Sequence, residues 1–276
     1  MPKIRPMVHH SLALMVTVLF LLPLFWALIN ALRAVGAPPP NTVEWWPADA
    51  HWENFGQVFE LLPFGRYLIN SVLVVALAIP VTLATASLAG FSIAQLPNRS
   101  QRYLLFFCVV VMMIPAASVW LARFQLLRWL GLLDTLWALI IPAFAASNPL
   151  FVLLFYWNFR RIPTETFEAA RLDGASALTV WWRMALPMAR PTIIGVTLLT
   201  FVLYWSDFVS PVLYIFDPSW YTLPVGLQIL KQLDATNWPL LMSGAIIMTV
   251  PVILLFGFMQ RFFLHDISIA GLFDRS

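Results

Sequence analysis

The chain has 276 residues, of which 61% are hydrophobic and only 11% charged, with a formal net charge of +3. Soluble globular domains carry about a quarter charged residues, so composition excludes a soluble fold. The small positive balance gives no sign of a nucleic-acid partner, and the single cysteine, Cys108 in "LLFFCVVVMM", excludes an internal disulfide.

Charges are absent from Tyr67 to Asn98, Tyr103 to Ala122, Thr135 to Phe159 and Ala235 to Gln260. Apolar runs of roughly 18 residues or more match a bilayer core of about 30 Å. Six transmembrane helices are predicted in chain order: about Leu12–Leu32, Tyr67–Leu96, Tyr103–Ala122, Leu136–Asn158, Pro191–Ile215 and Leu240–Leu264. Helix is the expected form, because lipid leaves no partner for an open strand edge. Pro23, Pro80, Pro115, Pro142, Pro149, Pro211 and Pro251 fall in or near these spans, where kinks are tolerated. The first span outlasts a signal-peptide core and is followed by "APPP" rather than a clean cleavage site, so it is read as retained. The expectation is one all-α transmembrane domain over residues 1–276.

With both termini in the cytoplasm, eleven of the sixteen Lys and Arg lie inside: Lys3, Arg5, Arg99, Arg102, Arg160, Arg161, Arg171, Arg183, Arg190, Arg261 and Arg275. Arg33, Arg66, Arg123, Arg128 and Lys231 lie outside. The positive-inside rule favours this orientation. An outside loop, about residues 33–66, carries "VEWWPADAHWENFGQVFELLPF", readable as an interfacial aromatic anchor or as a docking surface for an external partner.

The inside loop, about residues 160–190, reads "RRIPTETFEAARLDGASALTVWWRMALPMAR". Pro163 suits a first helical turn, and Glu165 and Glu168 suit the positive end of the helix dipole. Phe167, Ala170, Arg171 and Gly174 share a face by spacing, and Gly174 after Asp173 marks a left-handed stop. A second short helix, about Ala177–Ala185, carries Trp181 and Trp182 and is expected to end at Leu186-Pro187. The small residues Ala169, Ala170 and Gly174 allow close approach by another backbone, and Glu168 offers one anion. On periodicity alone, an amphipathic helix lying on the membrane surface fits as well.

The order Glu168-Ala169-Ala170, three residues, Gly174, nine residues, Met184, then Leu186-Pro187 resembles the EAA loop of ABC-importer permeases, E-A-A-x3-G-x9-I-x-L-P. Met184 stands where that pattern has Ile, a volume-conserving change. "RYLINSVLVV", "WSDFVSPVLY" and "FMQRFFLHDISIAGLF" are similar to carbohydrate-importer permeases of the maltose-permease-like family, with Ser206 departing from the usual W-N-D-F. The resemblance covers essentially the whole chain. It implies a type I importer permease fold in a bacterial inner membrane, with Glu168, Ala169, Ala170, Asp173, Gly174, Met184, Leu186 and Pro187 in an ATPase-coupling segment. The implied partners are a second homologous permease, two copies of a cytoplasmic ABC ATPase, an extracytoplasmic solute-binding protein and a sugar. A glycerol-phosphate or other polyol-type solute is the alternative cargo. The implied ATPase, not this chain, binds ATP and Mg. The tail beyond His265 is a further candidate ATPase contact, although it lacks the basic ending common among relatives.

The chain contains no G-x-x-x-x-G-K-[ST], H-E-x-x-H or G-x-S-x-G, and none of its four histidines is placed for a buried metal site. A membrane-embedded enzyme would need an acid–base constellation that is not seen. Asp207 is the carboxylate within a predicted span, where burial is costly and points to function, or to a structural hydrogen-bond node or helix end. Tyr204 and Trp205 beside it offer faces for a sugar ring, and Asn148 is a similar polar break. These four are candidate pathway residues. A stand-alone ion-coupled transporter would need more intramembrane charge and an inverted repeat.

Overall fold

Hydrocarbon leaves helix as the simplest way for a single segment to satisfy its own backbone, and the long charge-free runs become helices. The computed structural model describes residues 4–38, 45–145, 148–234 and 236–273, with side chains between 10 and 262, and no strand occurs among the described residues. In chain order the helices are α1 (Ile4–Ala31), α2 (Glu53–Leu61), α3 (Phe64–Gln95), α4 (Asn98–Met112), α5 (Ala116–Trp129), α6 (Trp137–Ile140), α7 (Pro149–Phe159), α8 (Thr164–Leu172), α9 (Ala177–Val180), α10 (Leu186–Met188), α11 (Arg190–Trp205), α12 (Val209–Tyr214), α13 (Leu223–Leu233) and α14 (Trp238–Phe273). Tighter 3₁₀ turns occupy Ile141–Ala145 and Pro218–Trp220, and a wider π-turn occupies Trp181–Ala185.

Among the described residues, four segments are long and apolar enough to cross a membrane: His10–Ala31, Phe64–Gln95, Trp137–Phe159 and Trp238–Phe262. Two more crossings exist if each of two bent pairs counts as one span, α4 with α5 at 95° and Ala177–Met188 with α11 at 84°. The expected third span is therefore not one straight helix. Pro115 takes φ −60°, ψ 133°, and α4 stops at Met112, because a proline pushes the residue before it out of helical geometry. The expected fourth span runs through the 3₁₀ turn at Pro142 before α7 starts on Pro149. The expected fifth span ends early, since α11 stops at Trp205 and the chain restarts as α12. Pro23, Pro80 and Pro251 stay inside α1, α3 and α14.

The chain divides into two compact units, residues 1–68 with 223–253 and residues 69–222 with 254–276. In the first, Asn54 is fully buried and donates to the carbonyls of Ala31 (2.8 Å) and Arg33 (2.7 Å), so its amide closes the C-terminal end of α1. Ser243 Oγ reaches the Ala31 carbonyl at 3.3 Å. Gly226 lies flat against the Tyr67 ring, leaving no room for a Cβ.

The second unit holds the main core, in which Phe91, Phe151, Phe155, Phe159, Phe167, Trp181 and Val196 are buried together. Phe91 meets Phe159 edge-on at 5.7 Å, and Phe155 stacks on Phe159 at 5.9 Å. The approach of α3 to α7 depends on Gly90. A Cβ there would sit 2.8 Å from Phe155 Cβ, 2.8 Å from the Tyr156 nitrogen and 2.9 Å from the Val152 carbonyl oxygen. Two of those neighbours are backbone and cannot yield, so Gly90→Ala is expected to cost about 1–3 kcal/mol through overpacking. Thermal unfolding of the detergent-solubilised variant checks this; an unchanged midpoint would show that the two helices do not pack so closely.

Candidate functional site

The 160–190 loop forms two helical pieces joined by a defined corner. Glu165 lies in the first turn of α8 and Arg171 in the last, each at the end where the dipole favours its charge. The corner after α8 is a Schellman turn: Ala175 N–H donates to the Ala170 carbonyl and Gly174 N–H to the Arg171 carbonyl, both at 3.0 Å. Gly174 has φ +82°, the left-handed geometry that motif needs. Ser176 then caps the next helix, its Oγ accepting from Thr179 N–H at 3.2 Å.

The second helix does not stop at Leu186-Pro187 as expected. Leu186 N–H donates five residues back to the Trp181 carbonyl, and helical structure continues through Pro187 to Met188. The wider π-turn precedes a proline that has no N–H to give, and the break comes at Ala189 (φ −96°, ψ 17°). Pro191 then enters the first turn of α11.

The two faces of α8 have different roles. Phe167 is 2% exposed, edge-on to Phe91 at 5.8 Å, and Ala170 is buried in the same core. Arg171 donates to Gln95 Oε1 at 2.7 Å and so ties the helix to the end of α3. Glu168, Ala169, Asp173 and Gly174 face outward. Among the residues grouped by spacing, Ala170 is thus spent on the chain's own core, whereas Ala169 and Gly174 stay open. Met184 and Leu186 pack against the core, and Pro187 is exposed. Spacing missed Leu172, which is 89% exposed beside Asp173. It also missed the cap at Ser176, legible as a Ser three residues before Thr179.

The four pathway candidates separate. Asn148 caps α7 through its side-chain oxygen, accepting from Leu150 N–H at 3.1 Å. Asn148 and Tyr204 line one cleft with Thr82, Ala86, Ala143, Phe151 and Leu203. Its volume is about 10 Å³, room for one water and far too small for a sugar ring. The Thr82 hydroxyl is buried there without a hydrogen bond of standard geometry, beside the Tyr204 phenol. Trp205 points elsewhere: it is 2% exposed and stacks on Phe201 at 5.3 Å. Asp207 occupies the break between α11 and α12, where its Oδ1 accepts from Ser210 N–H at 3.1 Å. It holds a helix start rather than sitting mid-helix. Among the described residues, no group of three or more His, Cys, Asp or Glu could hold a metal. The side chains beyond His265 lie outside the described residues.

A multi-pass helical membrane protein that carries an EAA-type helix on its 160–190 loop is, by class, a transport permease. The chain belongs to the family of binding-protein-dependent transport system inner membrane components, which it matches over residues 86–269. It is 29% identical to the probable ABC transporter permease protein YurM of Bacillus subtilis, over 89% of this chain and 81% of that one. It is 27% identical to the sulfoquinovosyl glycerol transport system permease protein SmoH of Agrobacterium fabrum (91% and 88% covered). It is also 27% identical to the arabinooligosaccharides transport system permease protein AraQ of Halalkalibacterium halodurans (82% and 80%). A chain in the crystal structure of a bacterial ABC transporter importing the acidic polysaccharide alginate shares its fold, with TM-score 0.77 and 21% identity, covering 95% of this chain and 97% of that one.

The two faces of α8 predict opposite outcomes. Phe167→Ala should destabilise the chain by about 3–5 kcal/mol, the cost of emptying a buried aromatic site. Leu172→Ala should leave the unfolding midpoint unchanged. Thermal melts in detergent measure both.

Proposed function

We propose that the chain is one translocating subunit of a sugar importer in a bacterial plasma membrane, moving a di- or oligosaccharide by alternating access. A separate ATPase pair drives it, and α8 seats in a groove on one ATPase. A second homologous permease completes the pore, and an extracytoplasmic binding protein delivers the sugar. The Lys and Arg distribution supports cytoplasmic termini and a cytoplasmic 160–190 loop. The sugar reading is supported by relatives whose names carry a glycoside and an oligosaccharide.

The observation that carries the coupling role is the outward ridge of Glu168, Ala169, Leu172 and Gly174. It stands on a stem fixed by Phe167, Ala170 and Arg171. A leucine so exposed on a charged helix is costly to leave in water and gains about 1.5–3 kcal/mol on full burial. A stem held by packing and by Gln95 transmits a push instead of absorbing it.

Leu172→Asp should lower co-purification of the ATPase about tenfold or more, while the permease still reaches the membrane; undiminished pull-down would count against docking. Gly174→Asp is the sharper variant. Among the described residues, no atom beyond its neighbours in sequence lies within 4 Å of the added Cβ, and Asp visits left-handed geometry more readily than most residues. The fold should persist while ATP-driven uptake is lost. Sugar uptake by this chain in liposomes without any ATPase would overturn the whole reading.

A further inference from the structure

A second concave surface lies away from the Tyr204 cleft, where α4 passes α7. It holds about 520 Å³ and is lined at one end by Asn98, Arg102 and Trp157, and further along by Leu105, Val109 and Leu153. Among the described residues, no acidic side chain lines it. Among the described residues Arg102 has no ion-pair partner, and it is exposed. Arg99 lies one turn earlier on α4, and Arg160 and Arg161 follow the end of α7, all exposed. Gln101 forms the floor but is already engaged. Its Nε2 donates to the Ala94 carbonyl at 3.1 Å, and its Oε1 accepts from Tyr156 Oη at 3.3 Å.

We infer that this groove is a binding site for one anionic phospholipid. The headgroup phosphate would sit at Arg102 and Asn98, with an acyl chain along α4 and α7. Three features converge on that ligand. The polar end is cationic, so charge complementarity selects an anion, and basic pockets between membrane helices are where acidic headgroups bind. From Asn98 to Val109 the α4 axis rises about 16 Å, close to half of a hydrocarbon core of about 30 Å, the depth of a single leaflet. Trp157, 60% exposed, stands at the polar end, the level where indole rings prefer to lie. Because Gln101 is spent on Ala94 and Tyr156, it braces the floor and leaves headgroup recognition to Arg102. This site does not depend on which solute is carried.

The test uses the full chain, purified with whatever subunits accompany it, delipidated and then offered phosphatidylglycerol or phosphatidylcholine in detergent. Native mass spectrometry should show phosphatidylglycerol retained in preference to phosphatidylcholine. Arg102→Gln should lower that retention about fivefold, the change one basic group supplies at an anionic surface. Arg102→Lys should keep most of it, and Arg128→Gln, outside the groove, should change nothing. An unchanged melting curve for Arg102→Gln separates lost binding from lost folding. Equal retention of the two lipids, or no effect of Arg102→Gln, overturns the proposal. Phe106 also lines the groove, and a photoreactive residue in its place should yield a lipid adduct; an adduct with a second permease chain would mean that protein fills the groove, which also overturns it.

Discussion

Each interruption of a helix in hydrocarbon frees backbone N–H and C=O groups, and each unpaired group costs several kcal/mol. That constraint governs where this chain bends and what stands at each bend. After α1, the Asn54 amide takes two carbonyls that the helix end leaves open. Before α7, Asn148 supplies a side-chain acceptor; between α11 and α12, Asp207 does the same. At 134 the chain adopts φ +61° with a non-glycine residue, and the Asp134 carboxylate accepts from the N–H groups of Phe216 (2.8 Å) and Asp217 (2.7 Å). The few polar side chains in an apolar sequence are thus concentrated where the backbone needs them. Asp207, just past the end of α11, therefore has a structural use already, whatever else it does.

The same economy explains the loop between α7 and α11. An exposed helix of nine residues is too short to be stable alone in water. It persists because Phe167 and Ala170 are buried in the second unit's core and Arg171 is tied to Gln95. The Schellman turn at Gly174 and the cap at Ser176 then reverse the chain within a few residues, with their end groups satisfied. What faces outward is free to be chosen for a partner.

Much of this was legible in the sequence, for identifiable reasons. Charge spacing located the apolar segments, because an unpaired charge in lipid is prohibitive. Asp173-Gly174 announced the corner, since only glycine enters the left-handed region at little cost. Bends were less legible. Pro80 and Pro115 are the same residue in equally apolar surroundings, yet one is carried within α3 and the other ends up at a 95° bend. Both are exposed on the chain's own surface, so residue type and local apolarity do not tell the two outcomes apart. Pro187 misled in the same way, because a π-turn upstream absorbed it. Facing was the least legible feature. Tyr204 and Trp205 are neighbours on a helix apolar on all sides, so no moment separates the cleft from the core. Leu172 hid for the opposite reason: leucine is assumed to be inside until its exposure is seen.

Packing places the loop and the cleft in one continuous body. From Phe167 on α8, ring contacts run to Phe91 on α3, then to Phe159 and Phe155 on α7. The same core includes Phe151 and Ala86, which line the Tyr204 cleft. Gly90 keeps α3 and α7 at the distance these rings need, and a core at this density has little room to deform locally. A displacement of α8 large enough to lift Phe167 must either open a cavity beside Phe91 or carry α3 with it. Opening a cavity of aromatic size costs about 3–5 kcal/mol, as much as a substantial part of a domain's stability. Moving α3 together with α7, which Gly90 and Phe91 hold against it, avoids that cost. Because α3 also supplies Thr82 and Ala86 to the cleft, the cheaper response is the one that changes its width.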